Sequence, residues 1–91
     1  VGGSIREPRK LRHVAPVYPE IARAARVAGT VVIDCTLTPE GRVAGAPGLS
    51  GPPLLSPVAL RAVEQWIYQP TLLNGVPVPV IMTVTVRFEL R

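Results

Sequence analysis

The chain has 91 residues, of which 47% are apolar and 18% are charged. This length suits one small domain, and the composition is far from the polar, highly charged composition that keeps a chain disordered. Ten lysines and arginines exceed six acids to give a net charge of +4, and prolines interrupt the apolar stretches well before the roughly 20 residues that a membrane-spanning helix needs.

Four basic residues collect near the start of the chain: Arg6, Arg9, Lys10 and Arg12. The same stretch shows no periodicity, so we interpret residues 1–13 as the end of a linker and residues 14–91 as the folded domain. The chain starts at Val1 with neither an initiator methionine nor an export signal, so we expect it to be part of a longer protein. We favour the interpretation that these basic residues are simply solvated. Contact with nucleic acid or an anionic surface is the alternative.

Tyr18-Pro19 introduces the first helical pattern. Proline suits the first position of a helix, where its missing N–H would have had no partner. Apolar residues then recur at three- and four-residue steps: Ile21, Ala22, Ala25 and Ala28. Because Gly29 suits a left-handed helix cap, the pattern predicts a helix over residues 19–28, with a shallow alanine face against the core.

From residue 30 to residue 38 the period changes to two, which predicts a strand. Its core face carries alternating apolar side chains: Val31, Ile33, Cys35 and Leu37. Residues 39–41 (Pro-Glu-Gly) then predict a turn and an antiparallel return strand. We place this return strand at an edge of the sheet, because Gly45, Pro47 and Gly48 interrupt it.

A second helix is predicted over residues 57–68, with Ser56 as its N-cap and Pro57 as its first residue. Four residues form its apolar stripe: Ala59, Ala62, Val63 and Trp66. Pro70 is expected to end the helix by disfavouring helical geometry in the residue before it. Asn74-Gly75, set between apolar residues, predicts a two-residue β-hairpin.

The last segment, residues 80–90, alternates between apolar even positions and mostly polar odd ones, which predicts a strand with one face in the core. Along a strand, the backbone N–H and C=O groups of every second residue point toward the same neighbouring strand. Pro77 and Pro79 both occupy odd positions, and proline has no N–H with which to form a ladder bond. The odd flank is therefore predicted to be unpaired. It would present free backbone groups at Ile81, Thr83, Thr85 and Arg87. Many proteins have exposed edge strands that prolines and charges protect from pairing with other chains. The alternative that these residues only protect the edge stays open.

The residues offer little for catalysis. Single His, Asp and Cys residues, at His13, Asp34 and Cys35, cannot form a multi-ligand metal site, and no serine lies in a strained elbow. We therefore expect no enzyme activity, metal or cofactor, and interpret Cys35 as a small core residue. Binders of single-stranded nucleic acid interleave basic and aromatic residues. The aromatic residues here mostly fall on helical or core faces, so we expect no nucleic-acid partner. For Tyr18 two roles remain possible: local packing, or part of a docking surface.

Several motifs occur in the order and spacing typical of one family. They are Pro16-Val17-Tyr18-Pro19, Gly29-Thr30-Val31, Gly41-Arg42-Val43, Ala59 to Trp66 with Tyr68 and Pro70, Asn74-Gly75, and Val84-Thr85-Val86-Arg87-Phe88. From residue 14 to residue 91 the chain thus resembles the C-terminal domain of TonB-family energy transducers. The resemblance implies an α+β fold, a three-stranded antiparallel sheet with two helices packed on one face, and the periodicities indicate the same arrangement independently.

The resemblance also implies a function. Such a domain is periplasmic, and its parent is anchored in the inner membrane by a segment not in this chain and couples to a proton-driven motor of the ExbB/ExbD type. The domain binds an extended N-terminal peptide of an outer-membrane TonB-dependent receptor. Pulling on the plug of the receptor then lets siderophore-iron, cobalamin or other bulky ligands enter. In the family this peptide adds as a strand to the last strand of the domain. The implied partner-binding residues are Ile81, Thr83, Thr85, Arg87, Glu89, Tyr18 and Pro19.

Two departures from the family pattern stand out. Residues 15–17 (Ala-Pro-Val) lack the polar residue usual before the Tyr-Pro motif, and the second strand is poorer than the pattern. An alternative is that the same fold serves as an appended sensor or cell-wall-binding module of a membrane peptidase or other envelope protein, and peptidoglycan is a further candidate partner. An exposed edge also permits a strand-exchanged homodimer.

Overall fold

A computed structural model describes residues 8–90. In chain order its elements are β1 (Lys10–Arg12), α1 (Glu20–Ala24), β2 (Gly29–Leu37), β3 (Val43–Ser50), α2 (Ser56–Val63), β4 (Ile67–Tyr68), β5 (Thr71–Leu73), β6 (Val76–Val78) and β7 (Val80–Phe88). The main sheet is antiparallel with the order β3-β2-β7, and residues from both helices join its core. The predicted α+β fold is confirmed.

The core lies between one face of the main sheet and the two helices. It receives the odd-numbered side chains of β2, the even-numbered ones toward the end of β7, and the small residues of the helices. The buried apolar residues are Ala22, Val31, Ile33, Cys35, Leu37, Leu55, Ala59, Ala62, Val63, Trp66, Tyr68, Val84, Val86 and Phe88. Alternation along both long strands was therefore a reliable guide to the buried face, because side chains on a strand point to opposite faces in turn.

The pairing of β2 with its two neighbours decides which backbone groups of β7 are free. The N–H of Thr38 donates to the C=O of Arg42 at 2.7 Å, next to the pair Leu37↔Val43. The backbone groups of even-numbered residues of β2 therefore bond to β3, and those of odd-numbered residues bond to β7. Because Leu37 lies opposite Val80, the even-numbered residues of β7 bond to β2, and its odd-numbered residues point away.

The first helix is shorter than predicted. It covers Glu20–Ala24 rather than residues 19–28, and the left-handed residue at its end is Arg26 (φ 56°), not Gly29 as expected. The N–H of Val27 donates to the C=O of Ala22 at 2.8 Å, which closes a Schellman cap around Arg26. Only Ala22 of the predicted apolar face is buried, and Ile21 is 67% exposed, because a helix of five residues has room for one contact with the sheet.

The second helix covers Ser56–Val63 rather than residues 57–68, and the prediction that Ser56 is its N-cap is wrong. The hydroxyl of Ser56 instead donates backwards to the C=O of Pro52 at 3.0 Å. The helix ends seven residues before Pro70, because residues 67–68 are drawn into pairing as β4. The N–H of Tyr68 donates to the C=O of Gly41 at 2.8 Å, which a continuing helix would not allow.

The remaining short elements form two small ribbons. The predicted hairpin at Asn74-Gly75 is confirmed, with φ values of 51° and 79° and β5 paired to β6. The other ribbon pairs β1 with β4. Periodicity did not predict β1, which lies inside the predicted linker; the first part of that linker, residues 1–7, falls outside the described residues. No helix within residues 8–90 has the length and apolar character to cross a membrane.

Candidate functional site

The outer flank of β7 is the most distinctive surface of the fold. Within the described part of the chain, β7 pairs with β2 alone. Its outward backbone groups belong to the odd-numbered residues, and the side chains of these residues are exposed: Ile81, Thr83, Thr85 and Arg87. Ile81 is 72% exposed, which is unusual for an isoleucine in a nine-residue strand. The arrangement offers a row of N–H and C=O groups to an incoming strand.

A groove of about 300 Å³ runs beside this flank. One wall is the middle of β7, residues 82–85, and the other contains Pro8, Lys10, Trp66 and Tyr68. This second wall comes from the β1–β4 ribbon and from Pro8 and Trp66, which lie just before its two strands, so the ribbon holds side chains alongside the edge of the main sheet.

Trp66 is the centre of the second wall. It is buried, and its Nε1–H donates to the C=O of Val14 at 2.7 Å. The Nζ atom of Lys10 lies 3.5 Å from the centroid of the indole ring, which is a cation–π geometry. Lys10 also donates to Nδ1 of His13 at 3.1 Å, and the His13 ring lies 4.9 Å from the Trp66 ring. Burial lowers the pKa of Lys10, since desolvation disfavours its charged form.

Of the predicted site residues Tyr18 and Pro19, Tyr18 lies near the far end of β7. The hydroxyl of Tyr18 donates to the C=O of Val27, and its ring meets the ring of Phe88 edge-on, with centroids 5.5 Å apart. The Tyr18 ring therefore packs locally against the last residue of β7. Pro19 precedes α1, and its C=O accepts from the N–H of Arg23 at 2.9 Å. Neither residue lines the groove beside residues 82–85.

Glu89 shares a cavity of about 250 Å³ with Tyr18, Arg23, Arg26 and Leu90, just beyond the end of β7. Of the seven predicted partner-binding residues, four lie along one flank of β7, Tyr18 and Glu89 lie around its C-terminal end, and Pro19 lines a cavity beside α2. Their assignment to partner binding stays a prediction.

The groups with catalytic or metal-binding potential are dispersed. Within residues 8–90 no three His, Cys, Asp or Glu side chains come together as metal ligands. Cys35 is 1% exposed, and burial first, then the charge of Asp34, raises the pKa of its thiol. Asp34 accepts a hydrogen bond of 2.8 Å from the hydroxyl of Thr83 across the β2–β7 pair. These groups therefore serve packing and strand pairing in the fold.

Sequence reasoning missed Lys10 as a neighbour of the site. The basic cluster was visible, but nothing in it singles out one lysine, and the contact with Trp66 joins two segments that are far apart in the chain. A signal was available only in part: Trp66 was placed in the core, and a buried indole N–H requires an acceptor from some other segment.

Comparisons with known proteins agree with the geometry. Residues 14–90 match the family model for the Gram-negative bacterial TonB protein C-terminal. Protein TonB of Vibrio cholerae is 38% identical over 80 residues, which cover 86% of this chain and 33% of that protein. Protein TonB of Klebsiella pneumoniae is 33% identical over 86 residues, which cover 92% of this chain and 33% of that protein.

Among solved structures, the solution NMR structure of Pseudomonas aeruginosa TonB CTD has a TM-score of 0.71 and 25% sequence identity to this chain. The match covers 90% of this chain and 85% of that one. The chain therefore belongs to the TonB C-terminal domain family, as its motifs predicted. It spans about a third of the length of the curated relatives that it matches.

Proposed function

We propose that this domain captures an extended peptide as an additional antiparallel or parallel strand on the outer flank of β7. The observation that carries the proposal is the continuous register of β7 with β2 on one side and the outward backbone groups on the other. Strand addition takes its affinity from backbone hydrogen bonds and its selectivity from side-chain pockets. Here the groove lined by Trp66, Tyr68 and residues 82–85 supplies such a pocket.

The prolines before β7 limit where a guest can pair. Pro77 and Pro79 occupy outward positions and offer no N–H, so the row of donors begins at Ile81. Thr83, Thr85 and Arg87 extend it toward the end of the strand. A guest strand of about seven residues would match this row, at a rise of about 3.4 Å per residue. Glu89 and Tyr18 would then lie beside one end of the guest.

The partner that family membership favours is the extended N-terminal peptide of an outer-membrane TonB-dependent receptor. In this proposal the parent protein transduces energy: a segment outside this chain anchors it in the inner membrane and couples it to an ExbB/ExbD-type motor, and the periplasmic domain transmits the pull to the receptor. Membership of the TonB C-terminal family and the curated relatives called Protein TonB support this role. Uptake of siderophore-iron is one process that it would serve.

The sharpest test places proline on the outward positions. Thr83→Pro or Thr85→Pro removes an outward N–H and obstructs the approach of a guest, so we expect peptide affinity to fall by at least about tenfold. Backbone pairing with β2 should survive, because the N–H groups of these residues point away from β2, although Thr83→Pro also removes the side-chain bond to Asp34. The measurement is calorimetric titration with receptor peptides, together with thermal unfolding of each variant.

Matched controls separate loss of binding from loss of fold. Thr83→Ala and Thr85→Ala keep the N–H and should bind almost as tightly as the parent chain. Val84→Pro removes a bond to β2 and should unfold at a clearly lower temperature. If the outward proline variants bind normally while an alanine on the exposed surface of α2, such as Arg61→Ala, removes binding, then the docking site lies elsewhere.

A further inference from the structure

The hairpin of β5 and β6 is apolar, exposed and separate from the core. Among the described strands, these two pair only with each other. Leu72, Leu73 and Val76 are 59%, 63% and 59% exposed, and none of the apolar side chains from residue 71 to residue 78 belongs to the core or packs against it. The chain carries no Asp, Glu, Lys, Arg or His from residue 65 to residue 86. Exposed apolar surface of this kind marks contact with another molecule or with a membrane.

Both faces of the hairpin are apolar. Leu73 lies opposite Val76, and Leu72 lies opposite Pro77. Because successive residues of a strand point to opposite faces, and residues directly opposite each other share a face, the two pairs occupy different faces. A hairpin that docks on a protein turns one apolar face to its partner and leaves a polar face in water, as antiparallel sheets commonly do. Apolar residues on both faces favour an environment that surrounds the hairpin.

Arginines lie at the base of the hairpin. The C=O of Arg9 accepts from the N–H of Gln69 at 2.8 Å, and Arg12 and Arg42 both pair with Ile67. The side chains of all three arginines are exposed. An uncharged apolar tip above a basic base is the charge pattern of a segment that lies in the surface of an anionic bilayer.

We infer that this hairpin is a membrane-contact element: its tip enters the surface of a bilayer with anionic phospholipids, while Arg9, Arg12 and Arg42 contact the headgroups. Within the described residues, Glu40 is the only acidic residue in the hairpin or the segments that supply these arginines, so the base stays positive. Insertion goes only to headgroup depth, because the free edges of a two-stranded ribbon cannot be satisfied within hydrocarbon. Three residues per strand, at about 3.4 Å each, match that depth.

Vesicle sedimentation with a triple variant tests the apolar part. The variant combines Leu72→Ser, Leu73→Ser and Val76→Ser. Its matched control combines Val17→Ser, Ile21→Ser and Leu49→Ser, which removes three exposed apolar side chains outside the hairpin. With vesicles of phosphatidylcholine and phosphatidylglycerol in equal parts, we expect the hairpin variant to bind at least about tenfold more weakly than the parent chain, and the control to bind within about twofold of it. Both variants are checked by thermal unfolding, which the hairpin changes should leave unaltered.

Two pairs of arginine substitutions test the role of charge. Arg9→Gln with Arg42→Gln should weaken vesicle binding by about tenfold, because each basic residue near an anionic surface adds to the attraction. Arg23→Gln with Arg61→Gln removes the same charge from the two helices and should weaken binding by less than about threefold. Vesicles of phosphatidylcholine alone should bind the parent chain at least about tenfold more weakly than the mixed vesicles.

Lipid-borne spin labels locate the contact in the unmodified chain, so this measurement does not depend on how a variant folds. In bicelles of the same two lipids with a nitroxide-labelled lipid, the amide signals of residues 71–78 should broaden most. Signals of α1 should broaden least, because α1 follows Tyr18, whose ring packs on Phe88 at the opposite end of β7.

The inference is overturned if the hairpin variant binds vesicles as well as the parent chain, if its control loses as much binding, or if the broadening centres outside residues 71–78. Self-association in sedimentation velocity that the hairpin variant abolishes, with no vesicle binding by the parent chain, would assign the hairpin to a second copy instead. Titration with receptor peptides separates this inference from strand addition: the hairpin variant should bind the peptide as the parent chain does, and normal peptide binding by Thr85→Pro would contradict strand addition while leaving the vesicle result standing.

Discussion

The two edge strands of the main sheet flank the same central strand, yet they differ in almost every respect. β7 pairs with β2 through nine consecutive residues without a register shift. β3 pairs with β2 through five residue pairs, with two register shifts, and contains Gly45, Pro47 and Gly48. Irregular, proline-containing edges resist the addition of further strands, whereas long regular ones invite it. The sheet therefore has one edge built against pairing and one that is open to it.

The two edges also differ in how they are attached to the core. β7 buries Val84, Val86 and Phe88, whereas β3 has no buried residue. The strand with free backbone groups is thus the one whose side chains are anchored. If the proposed strand addition takes place, a pull on the outer flank of β7 would be resisted by this packing as well as by the bonds to β2.

The largest expected effect comes from comparing one apolar residue on each edge. Phe88→Ala should lower the free energy of unfolding by about 3–4 kcal/mol, because Phe88 is 4% exposed and packs on Tyr18. Leu49→Ala on β3 should cost about 1 kcal/mol or less, because Leu49 is 46% exposed. Urea denaturation measures both. Similar losses in the two variants would contradict the view that only β7 is anchored.

A smaller effect is expected where the two edges are linked through β2. Asp34 lies opposite Gly48 on one side and Thr83 on the other. A Cβ atom at Gly48 would lie 2.6 Å from a carboxylate oxygen of Asp34 and 3.3 Å from its Cβ. Gly48→Val should therefore displace this carboxylate, weaken its bond to Thr83 and lower the free energy of unfolding by about 1–2 kcal/mol.

A double-mutant cycle checks the cause of that loss. With Asp34→Ala in the background, Gly48→Val should cost less than half as much, because the crowded oxygen is gone. An unchanged cost would assign the effect to the backbone of β3 rather than to the link across β2.

The smallest expected effect is a pH dependence reported by Cys35 in the central strand. The pKa of its thiol is raised in the folded chain, so the unfolded chain releases this proton at lower pH and the folded chain binds more protons in between. Stability should therefore fall as the pH rises through about 8.5, where an unperturbed thiol ionises. Lys10, with a lowered pKa, acts in the opposite direction. Comparing the parent chain with Cys35→Ala isolates the thiol, and equal pH profiles would contradict the prediction.

Alternation and turn chemistry predicted much of this fold. The repeat of two in residues 30–38 and 80–90 located both long strands and their buried faces, and Asn74-Gly75 located the hairpin. The odd positions of Pro77 and Pro79 led to the free flank of β7. These signals succeed because each depends on a property of a few adjacent residues: the direction of successive side chains, a missing N–H, or a positive φ.

The ends of the helices were less accessible to such reasoning. Gly29 was the obvious residue for a left-handed cap, yet Arg26 takes that conformation because Val27 must turn inward to pack on the core. Similarly, the apolar stripe of α2 continues to Trp66, but the helix stops at Val63. Residues 67–68 instead pair with β1, and the N–H of Tyr68 donates to the C=O of Gly41. Local preference was overruled by contacts that form only in the folded chain.

The amino-acid sequence by itself determined the order of the two helices and the long strands, the face that each long strand buries, and the proline-marked flank of the last strand. Only the tertiary structure decided what stands beside that flank. Trp66 donates to the C=O of Val14 across 52 positions, and Lys10 lies over the indole ring. Contacts of this range depend on how the whole chain packs, and no local periodicity encodes them.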